Sequence, residues 1–181
     1  MNSNTLQTRF IRPWAVLAMC GIAFSTFLPA ISEAQSPENV KQAMASLKAK
    51  TSNLGTPSIK GKEMVAGESV PALYFGTTKM NNNFAVVDEV RKEMGGTATL
   101  FVKSGEEFVR VATNVQKDDG SRAIGTVLDP KGKAIAAIRT DTPFYGEADI
   151  LGKHYLTGYE PIRDSGGNVI GVYYVGYPKA Q

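Results

Sequence analysis

Hydrophobic positions follow three different spacings along this chain, and each spacing predicts a different kind of element. The first is an unbroken run. From Trp14 to Leu28 every side chain is apolar or small and none is charged; Arg9 and Arg12 precede it and Pro29 breaks it. The second is helical. Val40, Met44 and Leu47 recur at three- and four-residue intervals behind Ser36-Pro37-Glu38, where serine suits an N-cap, proline the first turn and glutamate the helix dipole. This predicts a helix up to about Leu54, ended by Gly55-Thr56-Pro57. A second stripe, Val86, Val87, Val90 and Met94, is stopped by Gly95-Gly96. The third spacing is two. Thr97–Lys103 and Phe108–Asn114 read as a hairpin around Gly105-Glu106-Glu107. His154–Pro161 and Val169–Gly176 read as another, around Asp164-Ser165-Gly166-Gly167-Asn168. Between the hairpins Lys131–Arg139 is read as a helix with Ile135 and Ile138 inside. Ser58–Pro71 is read as a loop, Leu73–Gly76 as a short apolar contact and Thr142–Glu147 as an aromatic-rich loop. The sum is an α+β fold: one or two N-terminal helices, then a central antiparallel sheet of about five strands with a helix crossing between its halves.

The unbroken run reads as a signal peptide. At about 15 residues it is shorter than the roughly 18 that suggest a span, and Ser32 and Ala34 supply the small side chains a signal peptidase needs. The expected division is residues 1–34 as leader, cut after Ala34, and residues 35–181 as one exported domain, periplasmic or secreted. Met19 before Cys20 argues against lipidation. Removing 34 of 181 residues leaves 147 with no cysteine, since Cys20 is the only one. Disulfides, thiol catalysis and cysteine-zinc sites are thereby excluded. The leader carries two basic residues and one acidic, so the formal charge of +3 becomes +2, which offers no reason to expect nucleic acid or a membrane surface as partner. His154 is the single histidine, so a multi-histidine metal site is excluded.

Catalysis finds little support. There is no G-x-S-x-G nucleophile elbow, Gly95-Gly96 follows a helix where a phosphate loop would follow a strand, and the pairs Glu106-Glu107 and Asp118-Asp119 lie in turns. No enzyme is expected. Binding chemistry is better represented. Alternation along Phe108–Thr113 puts Phe108, Arg110 and Ala112 on one face and Val109, Val111 and Thr113 on the other. Arg110 is thus a guanidinium amid apolar residues, either exposed, paired with a carboxylate, or an anion hook. Lys153, Tyr155, Thr157 and Tyr159 likewise share a face, either as a half-buried edge or as a pocket wall. Arg122, Phe144 and Tyr145 lie in connecting segments, where pocket residues often sit. His154 points away from Tyr155.

The runs GGTATLFVKSGEEFVRVATNVQKDDGSRAIGTVLD and FYGEADILGKHYLTGYEPIRDSGGNVIGVYYVG, with VPALYFGTTKMNNNFAVVDEV upstream, resemble the extracytoplasmic Cache sensor domains of bacterial chemoreceptors and histidine kinases. The likeness is to the single-module Cache 3/Cache 2 fusion type and covers roughly Ser36 to Tyr177. It implies a PAS-like fold with a long N-terminal helix, a five- or six-stranded antiparallel sheet and a ligand cavity on one face. It further implies sensing of small molecules, organic acids or amino acids above all, with no enzymatic activity and no fixed cofactor. The residues carried over as ligand-binding candidates are Arg110, Arg122, Tyr145, Lys153, Tyr155 and Tyr159, with Thr113 and Thr126 as weaker ones. Arg110 and Thr113 share a pocket only if the strand is bulged. Receptors of this type continue into a transmembrane helix, whereas this sequence stops at Gln181, five residues after Gly176. The expectation is a sensing half without a span after the leader, signalling through a separate membrane chemoreceptor or histidine kinase. A homodimer through the N-terminal helix is compatible with this. The alternative is an interaction module with a vestigial pocket.

Overall fold

The computed structural model describes residues 36–179. The leader expected over 1–34, with its cut after Ala34, lies outside the described residues. Helix α1 spans Pro37–Ser52: Asn39 N donates to Ser36 Oγ at 3.2 Å and Pro37 occupies the first turn. The long N-terminal helix implied by the resemblance amounts to these sixteen residues among the described ones. Its buried stripe, Val40, Ala43, Met44, Leu47 and Thr51, follows the helical period and packs on the main sheet. Full burial of one such leucine contributes about 1.5–3 kcal/mol.

The segment Ser58–Pro71, expected to be a loop, is instead mostly strand. Strands β1 (Pro57–Val65), β2 (Glu68–Phe75) and β3 (Thr78–Lys79) form a small antiparallel sheet in that order. Two features hid it. β1 is an edge strand with most side chains in solvent, so it lacks hydrophobic alternation. Its turn is Ala66-Gly67, with φ of 50° and 91°. Two consecutive left-handed residues mark the tight hairpin turn usually announced by Asn-Gly.

Helix α2 (Ala85–Met94) follows, capped by Gly95. The main sheet contains β4 (Thr97–Ser104), β5 (Glu107–Thr113), β6 (Phe144–Ile150), β7 (Lys153–Arg163) and β8 (Val169–Pro178), all antiparallel, in the order β5-β4-β8-β7-β6. Helix α3 (Lys133–Arg139) crosses between β5 and β6 and buries Ala134, Ile135 and Ile138. β6 corrects a second expectation, since the sequence predicts a loop over Thr142–Glu147. Its inward set is Phe144, Gly146, Ala148 and Ile150, and its outward set Tyr145, Glu147 and Asp149 is exposed. The two small inward residues make the alternation hard to see in sequence.

Both faces of the sheet are covered. One carries α1, α2 and residues of the small sheet over Leu100, Val102, Tyr173 and Val175. The other carries α3 and the segment before it over Phe101, Phe108, Tyr159, Val172 and Tyr174. Among the described residues no helix is long and apolar enough to cross a membrane.

Candidate functional site

The site begins with a bulge. Leu100 pairs with Ala112 but Phe101 pairs with Arg110, so Val111 is an extra residue in β5. Beyond the bulge the alternation reverses. Ala112, expected beside Arg110, packs in the core on the α1 side with Val109 and Val111. Thr113, expected opposite Arg110, comes round to its face: Thr113 pairs with Thr99, their hydroxyls 2.6 Å apart, while Arg110 pairs with Phe101 two residues along the same strand.

Arg110 is 4% exposed. Its guanidinium carbon lies 5.1 Å from the Phe101 ring centroid, within cation–π range. Nη1 donates to Thr126 Oγ1 at 2.5 Å, and that hydroxyl donates onward to the Ala123 carbonyl at 2.8 Å. Among the described residues the buried Nε has no acceptor and no carboxylate lies within 4.0 Å of the guanidinium. Burial pushes the Arg110 pKa below its ordinary value, partly offset by Tyr174 and Tyr159, but an arginine stays charged at neutral pH. A buried cation with an unmet donor costs free energy until an anion or water meets it.

The backbone around Arg110 builds the wall above it. Arg110 N donates to Thr126 O, Gly125 N to Arg110 O and Leu128 N to Phe108 O, each at 2.9 Å. Residues 123–128 are thereby laced along the free edge of β5 and lead into α3. Between this segment, α3, β6 and the sheet lies a cavity of about 370 Å³, to which Arg110, Leu128, Asp129, Lys133, Phe144 and Tyr159 all contribute. That volume is at the small end of ligand pockets. Tyr159 is 1% exposed, its ring 5.0 Å from Tyr174 and 6.1 Å from Phe144. Burial pushes its phenol well above the ordinary value and Arg110 pulls the other way, so it remains a neutral hydroxyl at neutral pH.

Of the six ligand-binding candidates read from sequence, Arg110 and Tyr159 line this cavity and the other four lie elsewhere. Arg122 grips Asp88 of α2 with two hydrogen bonds of 2.7 and 2.8 Å, donates to Thr113 O at 2.8 Å and stacks 4.4 Å from the Phe84 ring centroid. Tyr145 lies on the α1 side of β6, where its hydroxyl donates to Glu160 at 2.5 Å and Lys48 reaches the same carboxylate. Burial, then Glu160, push the Tyr145 phenol up. Lys153 and Tyr155 line a second depression with Arg91 and Lys117, and Lys153 pairs with Asp118 at 3.0 Å. His154 is exposed and lines neither. The wall residues Leu128, Asp129, Lys133 and Ile150 were not anticipated, since they lie where no hydrophobic period points to a shared space. Thr126, carried over from the resemblance, is the one side chain bonded to the guanidinium among the described residues.

The antiparallel sheet thus carries helices on both faces, and on one of them a small cavity lies between the sheet, α3 and the laced segment. Residues 27–181 match the family model of the Cache 3/Cache 2 fusion domain, and the chain belongs to that family of extracellular sensor domains. No curated protein matches it. Among solved structures, one described as a transcriptional regulator from Rhodococcus sp. RHA1 is similar at 15% identity and a TM-score of 0.36, over 51% of this chain and 54% of that one.

Proposed function

We propose that this chain is an exported sensing module that binds a small organic anion, an organic acid or amino acid, in the Arg110 cavity. The bound state is then read by a separate membrane partner, a chemoreceptor or histidine kinase. The reading includes a leader over residues 1–34, a mature domain from residue 35 and no catalysis.

One observation carries it. A guanidinium 4% exposed, without a carboxylate partner or an acceptor for Nε among the described residues, lines a cavity of about 370 Å³. A purely structural arginine in such a place ordinarily finds an acidic partner. A carboxylate ligand supplies that partner in bidentate form.

Thermal-shift titration with a panel of organic acids and amino acids tests the proposal. A true ligand at about 100 times its Kd stabilises the protein by about 2.7 kcal/mol, and Arg110→Gln weakens its binding by roughly tenfold or more, the equivalent of 1.4 kcal/mol. A melting curve unmoved by the whole panel sinks the proposal and favours an interaction module with a vestigial pocket.

A further inference from the structure

The cavity holds charges of both signs that do not meet one another. Besides Arg110, the side chains of Asp129 and Lys133 border it with one carboxylate and one ammonium, while Glu147 and Asp149 belong to the outward set of β6 and lend the wall only that strand's edge. Glu147 is engaged with Lys179 at 2.5 Å. Asp129 and Asp149 bond only backbone amides, Lys131 N at 3.0 Å and Gly152 N at 2.7 Å. Among the described residues neither has a cation within 4.0 Å, just as Arg110 has no anion. Asp129 and Asp149 are exposed and Arg110 is buried. The one buried charge of the cavity is therefore the cation at the sheet, and Asp129 carries a carboxylate at its solvent side. Asp129 and Arg110 both act on the Tyr159 hydroxyl, one raising and one lowering its pKa, without touching each other. The space beside Tyr159 thus separates one buried cation from one exposed carboxylate.

Resting on the carboxylate reading above, we propose that the ligand is a monocarboxylate whose far end is neutral or cationic, and that Asp129 is the residue that rejects a second negative charge. With one carboxylate on Arg110, a small cavity directs the rest of the molecule toward Asp129. A diacid presents its second carboxylate to a like charge, and like charges at close range repel, most strongly at low ionic strength, which disfavours the diacid relative to the monoacid. Lys133 is the one lining cation that opposes this. Both it and Asp129 are exposed, but the Lys133 ammonium rides on a flexible four-carbon stem, whereas Asp129 Oδ1 is held in place by Lys131 N at 3.0 Å.

The test is isothermal titration, at low ionic strength, of linear monocarboxylates and neutral amino acids of four to six carbons against diacids of the same lengths. The wild-type protein is expected to bind the best monoacid at least roughly tenfold more tightly than its matched diacid. Asp129→Asn should close that gap to within about threefold, by improving the diacid and not by weakening the monoacid, while Lys133→Gln leaves it open. Diacids that bind wild type as well as monoacids, or a gap that Asp129→Asn leaves intact, overturn the inference and leave the Arg110 site standing. Silence from every monoacid and diacid removes the Arg110 carboxylate site and this inference together. Unchanged far-ultraviolet circular dichroism and melting of the ligand-free variants show that each has folded.

Discussion

Arg110 is more costly to the empty protein than its neighbours are. It gives up hydration for one hydrogen bond to Thr126 and one ring, and its Nε has no acceptor. The cation–π contact returns about 0.5–2 kcal/mol, less than an unpaired buried charge loses. Methionine matches arginine's stem as far as Nε, adapts its shape to fill irregular space and needs no partner. Arg110→Met is therefore expected to stabilise the ligand-free protein by about 0.5–2 kcal/mol, in the manner of sites that trade stability for function, and to abolish the thermal response to carboxylates. Urea melts of both proteins, with and without ligand, check this; a less stable Arg110→Met protein contradicts it. Arg110 stands out in the sequence because it interrupts a period-two strand with a charge amid apolar residues, and Tyr159 because it ends a strand face of aromatic and polar side chains, Lys153, Tyr155, Thr157 and Tyr159. That the six candidates would not share one space was not legible. Tyr155 and Tyr159 do share a face of β7, but four residues at about 3.3 Å each set them roughly 13 Å apart, enough to place them in different depressions. Nor does sequence show the bulge at Val111, which depends on how β4 and β5 register and not on any residue type.

Among the elements, the strands that were read correctly are those buried on both faces. β4, β5, β7 and β8 present apolar side chains to two cores, so their runs are dense and β-rich. β1 and β6 lie at sheet edges, one mostly in solvent and the other with small residues at two inward positions, and both vanish into apparent loops. Their turns were equally quiet: Ala66-Gly67 and Leu151-Gly152 both adopt positive φ without asparagine or aspartate to announce it. The turn between β7 and β8 speaks more plainly. Asp164 Oδ1 accepts from Gly166 N and Asn168 N, each at 2.9 Å, and from the Asn168 side chain at 3.2 Å. Bonding to the Asn168 side chain, then to backbone amides, holds its carboxyl below the ordinary 3.8. A carboxyl with a folded pKa lower than its unfolded one stabilises fully above the unfolded value and loses that contribution as pH falls through the folded value. The melting temperature of the wild-type protein should therefore exceed that of Asp164→Asn at neutral pH. The difference should shrink toward zero as the pH drops from about 5 to about 2. A gap independent of pH would assign the effect to shape alone.

For the whole molecule, the decisive feature is that one sheet serves two cores. Along β8, Tyr173, Val175 and Tyr177 pack on the α1 side while Val172 and Tyr174 pack on the cavity side. β7 does the same at adjacent residues: Tyr159 lines the cavity, and Glu160 receives Lys48 of α1 at 2.5 Å. Neither layer can leave without exposing strands on which the other depends. The domain should therefore unfold in one cooperative step, although its cores lie on opposite faces of the sheet. Leu47→Ala on α1 and Ile135→Ala on α3 probe the two layers separately, since both side chains are essentially fully buried. Each truncation should cost about 2–5 kcal/mol and lower a single melting temperature. Far-ultraviolet signal and near-ultraviolet tyrosine signal should remain coincident in both variants. A carboxylate bound on the cavity side should raise that same temperature in Leu47→Ala, because the free energy of binding is shared by everything that melts with the site. A second transition in either variant, or a ligand that protects only the tyrosine signal, would mean the layers melt independently. The sheet would then have no means of making the α1 face respond to what Arg110 holds on the other.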